Sequence, residues 1–232
     1  MLREEGEARA LSAALEDRIE SIWQSECASR AEPPVDAPIF NVTRFSGQQI
    51  VGHFVPYRRW IAQLRFPELR DALQVQPGSV CGLSFACGSL LVGRRSEHTT
   101  QDPGAWEPVQ AGGIGVDARG EHGELSAARQ ILLELHEELN LSAERVVGIA
   151  PFALVVDLET RVHDIAFELE IDLSLEQVEV EFLDRTSTEV TALRGISRDR
   201  IHAWIRSEKD SLAPITASLL AARGLGLPAA SG

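Results

Sequence analysis

The densest chemistry in the chain lies in ten residues, Leu132-Leu133-Glu134-Leu135-His136-Glu137-Glu138-Leu139-Asn140-Leu141. Glu134, Glu137 and Glu138 stand at i, i+3 and i+4, one face of an α-helix, while Leu132, Leu135 and Leu139 share the opposite stripe. Like charges this close destabilise a bare helix by roughly a few tenths of a kcal/mol per pair, and a cation between them removes that cost. Hard divalent ions such as Mg²⁺ take carboxylate and water oxygens, and a substrate phosphate completes the shell. The chemistry this permits is hydrolysis: cations neutralise a bridging pyrophosphate and acidify a water that attacks phosphorus in line, and a carboxylate takes the proton. A solvated acidic helix face is the other reading of the same ten residues.

Glu134 to Leu141 resembles the end of the Nudix box: arginine, glutamate, aliphatic, any residue, two glutamates, any residue, glycine, aliphatic. Upstream, Ala111-Gly112-Gly113-Ile114 is similar to the glycine-rich strand before that box, and Gly93-Arg94-Arg95-Ser96 to a strand end where many Nudix domains carry two arginines. Val162 to Ile171 and Glu189-Val190 match the strands and acidic loop that follow it, so the agreement in order runs from Val80 to Leu220. The resemblance implies a Nudix-type α/β/α sandwich with a mixed sheet, an α/β (α+β) fold. It implies a pyrophosphatase using Mg²⁺ or Mn²⁺, with Glu134, Glu137, Glu138 and a backbone carbonyl at Gly112 as metal ligands. Glu134, Glu138 and the loop carboxylate Glu189 are the catalytic candidates, and Arg94, Arg95, Tyr57 and Glu124 the substrate-binding ones.

The chain departs from the box in places. Leu133 replaces the box arginine, Asn140 replaces its glycine, and Gly123-Glu124 lies one residue too far from Glu137. Asparagine also enters the left-handed conformation at a helix C-terminus, which accommodates the second change. Leu133 and the displaced Glu124 motivate the alternative, a Nudix-fold nucleotide-binding or regulatory module without turnover. A second similarity, of Ile19 to Trp23, Ala37 to Asn41 and Pro56-Tyr57-Arg58 to the N-terminal wing of animal Nudix hydrolases of UDP-sugars, favours a UDP-sugar as substrate. Nucleoside monophosphate and sugar phosphate would be the products, and nucleoside triphosphates or dinucleotides are the alternative substrates.

These residues need elements to position them. Leu11, Leu15, Ile19, Ile22, Trp23 and Cys27 recur at helical spacing between Glu5 and about Arg30, and Pro33-Pro34 ends the pattern. Ile39 to Phe45 and Ile50 to Val55 read as a hairpin around Gly47, and Pro56 opens a helix to about Arg65, with Pro67 starting another turn or two to Leu73. This helix-plus-hairpin extension, residues 1–75, precedes a Nudix domain over 76–225 and a frayed tail over 226–232. The extension would supply part of the specificity pocket or a contact with a second copy, giving a homodimer.

In the domain, Val80 to Ala86 and Leu90 to Arg95 read as strands joined by Cys87-Gly88-Ser89. Strand material follows from Trp106 to Gly115, a loop from Asp117 to Gly123, and the acidic helix from Leu125 to Asn140. Val146 to Asp157 and Val162 to Leu173 read as paired central strands turning at Asp157 to Arg161, with His163 in the buried register of Ile165 and Phe167. Val190 to Leu193 adds a short strand, and helices from Ser197 to Arg206 and Leu212 to Arg223 close the chain, the last ended by Gly224.

Composition narrows the partners. A net charge of -13 without a basic block disfavours nucleic acid, though arginines and bound cations can reverse the potential inside one pocket. No apolar run approaches the roughly 18 residues of a membrane span, and the acidic start does not read as a signal peptide. Cys27, Cys81 and Cys87 have neither paired spacing nor a histidine partner, so a reducing, cytoplasmic setting is expected and covalent catalysis is not. The expected partner is a small nucleotide.

Overall fold

The computed structural model describes residues 1–30, 33–46 and 48–227, which fall into two compact units interleaved along the chain. The expected turn residue Gly47 and most of the expected tail lie outside the described residues.

The first unit comprises Met1–Ser79, Gly113–Gln130 and Val156–His163. It opens with β1 (Leu2–Glu4), and its long helix α1 spans Ala13–Ala28, shorter at the N-terminus than the apolar spacing suggests. Ser12 fixes that start, since its side chain accepts the Leu15 N–H, while Leu2 to Glu4 pair in parallel with the second hairpin strand. The expected hairpin forms from β2 (Pro38–Ser46) and β3 (Gln49–Pro56), with Ile39 opposite Val55 and Phe45 opposite Ile50. Then come α2 (Tyr57–Arg65) and the single turn α3 (Arg70–Leu73). Trp23, Ile39, Val55, Trp60 and Ile61 bury a common apolar surface. Beside it the buried Glu26 of α1 accepts hydrogen bonds from Arg30 and from Arg65 of α2.

The second unit comprises Val80–Gly112, Ile131–Val155 and Asp164–Gly232. Its sheet is built from β4 (Gly78–Ala86), β5 (Ser89–Arg95), β6 (Trp106–Pro108) and β7 (Ala111–Gly113), followed by α4 (Ala127–Leu139). Next are β8 (Val146–Val156), β9 (His163–Ile171), α5 (Leu175–Leu183), β10 (Val190–Ser197), α6 (Ile201–Ser207) and α7 (Pro214–Ala222). The strand order is β10-β5-β4-β9-β8, with β6 against β5 and β7 against β4. Every residue of β4 is buried, as befits a central strand in which small and apolar residues are broken only by Ser79 and Ser84. Cys81, Leu83 and Phe85 face Trp204, Ile205, Leu219 and Leu220 of α6 and α7. Gly82 looks the other way, where a Cβ would stand 3.5 Å from Ile131 of α4. Helices therefore cover both faces, the expected α/β sandwich.

Three expectations need correction. Val146–Val156 is the outer strand of the order, not a central one. Its apolar length misleads, because many of its residues are exposed and Pro151, lacking an N–H, fits an edge. The helix α5 was not expected at all, although Ser174 and Gln177 form a complete capping box at its start. The final strand runs to Ser197 rather than Leu193, because Gly195 lets Leu175 of α5 pack against it and continues the ladder past Arg194. Among the described residues no helix is long and apolar enough to cross a membrane.

Candidate functional site

The helix that carries the carboxylates is set at both ends. Ser126 accepts the Arg129 N–H at its start. Asn140 stops it in the left-handed conformation, φ 58, with its N–H on the His136 carbonyl. Ile131, Leu135 and Leu139 are fully buried, which turns the opposite stripe back towards the strands of the second unit.

Glu138 is 5% exposed, and its two carboxylate oxygens accept consecutive backbone amides: Gln110 N–H at 2.9 Å and Ala111 N–H at 3.2 Å. One turn earlier, Glu134 lies against Gly112. A Cβ on Gly112 would fall 2.1 Å from Glu134 Oε1, so only glycine admits this approach of strand and carboxylate. Glu137, between them in sequence, is exposed.

Two further carboxylates, Glu107 and Glu189, and one arginine complete the group. Arg95 extends from β5 and donates to the buried Glu107 of β6 and, from Nε, to the Gln101 carbonyl at 3.0 Å. Glu189 is tethered beside the end of β5, where its carbonyl accepts the Ser96 N–H at 2.7 Å. Burial pushes the Glu138 carboxyl up to about 8; the two amides oppose this, and the charges of Glu107 and Glu134 add to it. Burial likewise raises Glu107 and Glu189; Arg95 restrains both, while Asp102 and Glu189 act on Glu107 and Glu137 acts on Glu189. Burial works against the Arg95 charge, but Glu107, Glu138 and Glu189 outweigh it and hold the guanidinium protonated.

The predicted residues thus separate. Glu134, Glu137, Glu138, Gly112, Glu189 and Arg95 are neighbours or electrostatic partners within the second unit. Arg94 is exposed, with its Nε on the Gly104 carbonyl at 3.1 Å, consistent with the alternation that sends adjacent strand residues to opposite faces. Tyr57 and Glu124 belong to the first unit. There Tyr57 packs between Trp23 and Trp60, at ring separations of 6.2 and 5.4 Å, and Glu124 closes a tight turn whose Gly120 N–H bonds its carbonyl. His163 is buried and hydrogen-bonded to the Arg161 carbonyl, as its register implied.

Glu107 and Gln110 were not anticipated. Glu107 sits between two buried residues of a strand, which offers a weak signal; Gln110 offers none, because its role depends on partners 26 and 28 residues away.

Among the described residues no three histidine, cysteine or acidic side chains are grouped closely enough to hold a metal by themselves. A donor set of carboxylates and backbone oxygens nevertheless suits a hard divalent ion that keeps water and phosphate oxygens in its shell. The approach of Glu134 to the Gly112 backbone fits such a set.

No family model matches the chain, and no curated protein matches it. Among solved structures, it is similar to a Nudix hydrolase from Nitrosomonas europaea at 16% identity, covering 66% of this chain and 93% of that one, with a TM-score of 0.41. It is similar to the MutT protein from Methanosarcina mazei Go1 at 22% identity, covering 60% of this chain and 86% of that one, with a TM-score of 0.39. A protein from Deinococcus radiodurans is similar at 16% identity, covering 64% of this chain and 82% of that one, with a TM-score of 0.46.

Proposed function

We propose that the chain is a Nudix-type hydrolase that cleaves the pyrophosphate of a nucleoside diphosphate linked to another moiety. The observation that carries this reading is the packing of the acidic helix on the glycine strand, with Glu134 against Gly112 and Glu138 held by two successive amides. Glu134, Glu137, Glu138 and the Gly112 carbonyl would hold the divalent ion, Mg²⁺ or Mn²⁺. When bound, that ion supplies charge neutralisation of the pyrophosphate and a more acidic water. The strand amides orient Glu138, and Glu189 accepts the proton of the water that attacks phosphorus. The P–O bond to the leaving phosphate breaks, giving a nucleoside monophosphate and a second phosphate. Arg94, exposed at the end of β5, offers a guanidinium to a substrate phosphate.

The finer reading is a UDP-sugar as substrate, a sugar phosphate as second product, and a cytoplasmic setting. It rests on the similarity of the N-terminal extension to that of UDP-sugar hydrolases and on unpaired cysteines, all three of which are free thiols. The decisive experiment incubates the protein with nucleotide sugars, dinucleotides and nucleoside triphosphates, with Mg²⁺ or Mn²⁺, and identifies products by mass spectrometry. Turnover that disappears in Glu138→Gln supports the hydrolase.

One observation favours a binding module instead: Leu133 brings no charge to the helix. That reading gains if a nucleotide raises the melting temperature and is never consumed.

A further inference from the structure

Gln110 is an unlikely residue for the place it occupies. Its φ of 69 lies in the left-handed region, which glycine enters freely and glutamine does not. Its side chain is fully buried; Oε1 accepts the hydroxyl of Ser84 on β4, while Nε2 has no hydrogen-bond partner among the described residues. Room for that amide comes from Gly82, where a Cβ would stand 2.8 Å from Gln110 Oε1. Both backbone groups are also engaged, the carbonyl by the Gly82 N–H at 2.9 Å and the N–H by Glu138. A disfavoured backbone and a half-satisfied buried amide persist together only where the surroundings over-determine them.

We infer that Gln110 is a positioning residue: bonded to Ser84, its side chain pins residue 110 in the left-handed conformation, and that conformation aims the consecutive amides of Gln110 and Ala111 at the two oxygens of Glu138. Relaxation to negative φ reorients the peptide planes flanking residue 110, and the paired donation is lost. The catalytic consequence rests on the hydrolase reading, in which Glu138 must keep one orientation through turnover. The geometric claim stands without it.

Two variants of the full chain separate positioning from packing. In Ser84→Ala/Gln110→Met both polar partners become apolar at similar volume, a change that cores tolerate, so the chain keeps its packing and loses only the anchor. In Gln110→Gly the anchor is also gone and a cavity is left, but the new residue holds positive φ unaided. Residue-resolved amide hydrogen exchange is expected to stay slow at positions 110 and 111 in the wild type and the glycine variant, and to quicken at least about tenfold in the double variant. Pyrophosphate hydrolysis should follow the same order: kcat falls about tenfold or more in the double variant with KM little changed, and falls less in the glycine variant. Both melting temperatures are recorded alongside.

If Gln110 merely fills space, the order reverses, with the double variant fully active and protected and the glycine variant impaired; that result overturns the inference. A wild type that hydrolyses nothing refutes the hydrolase reading, and the exchange rates at 110 and 111 still decide the inference.

Discussion

The carboxylate of Glu134 lies so close over Gly112 that a Cβ added there would meet Oε1 at 2.1 Å. Gly112→Ala must therefore push the Glu134 carboxylate, the far end of a flexible side chain, out of its place, at about 1 kcal/mol of rotamer cost. We expect urea denaturation to show that loss, and hydrolysis to fall by about a hundredfold. Combining it with Glu134→Ala should restore most of the stability and none of the activity.

The pH dependence of stability follows from Glu138. Its carboxyl titrates at about 8 in the folded chain against 4.5 ordinarily, so the folded state binds the extra proton between those values. The stability this contributes is complete below about pH 4.5 and is lost as pH rises through about 8. In the presence of a chelator, the melting temperature should carry a component that declines across this window. Glu138→Gln should remove that component; an unchanged decline in the variant would place its origin elsewhere.

Metal binding should reverse the same trend. A cation on the carboxylate face favours the ionised form, so Mn²⁺ is expected to raise the melting temperature, more strongly at pH 8 than at pH 6. Isothermal titration with Mn²⁺ should show the affinity reduced about tenfold or more in Glu134→Gln and Glu138→Gln. An equal affinity in both variants would remove these residues from the ligand set.

In the first unit, the Arg65 and Arg30 hydrogen bonds hold the buried Glu26 below the usual carboxylate range, with burial opposing them. Here the sign is opposite: the stability is present above the ordinary pKa and is lost as pH falls through the folded one. Because Arg65 is partly solvated, we expect Glu26→Gln to cost about 2 kcal/mol rather than the full value of a buried pair. Urea denaturation at pH 7 measures this, and at low pH the variant and wild type should converge.

What could be read from the sequence was what local rules decide. The hairpin of β2 and β3 follows from alternation, α4 from its apolar stripe, and its end at Asn140 from the left-handed tolerance of asparagine. The carboxylate triad was legible because three residues within one turn carry it. Glu107, Gln110 and the amides facing Glu138 were not, since each takes its role from a partner far along the chain, and burial of a polar group is fixed by tertiary packing. The helix α5 was a different failure: Ser174 and Gln177 announced it, but Val178 and Phe182 give only a narrow buried stripe. The edge position of β8 was illegible because strand order is a property of the whole sheet.

That edge has a consequence for how the protein behaves in a tube. From Val146 to Val156 the outermost strand carries no ionisable side chain, and Val147, Ile149 and Leu154 are exposed along it. A bare apolar border of this kind templates strand addition between molecules. Pro151, at its midpoint, withholds one donor from the row and makes the border a poor match for another chain. Pro151→Ala is therefore expected to make a concentrated sample aggregate faster, which light scattering over time would measure.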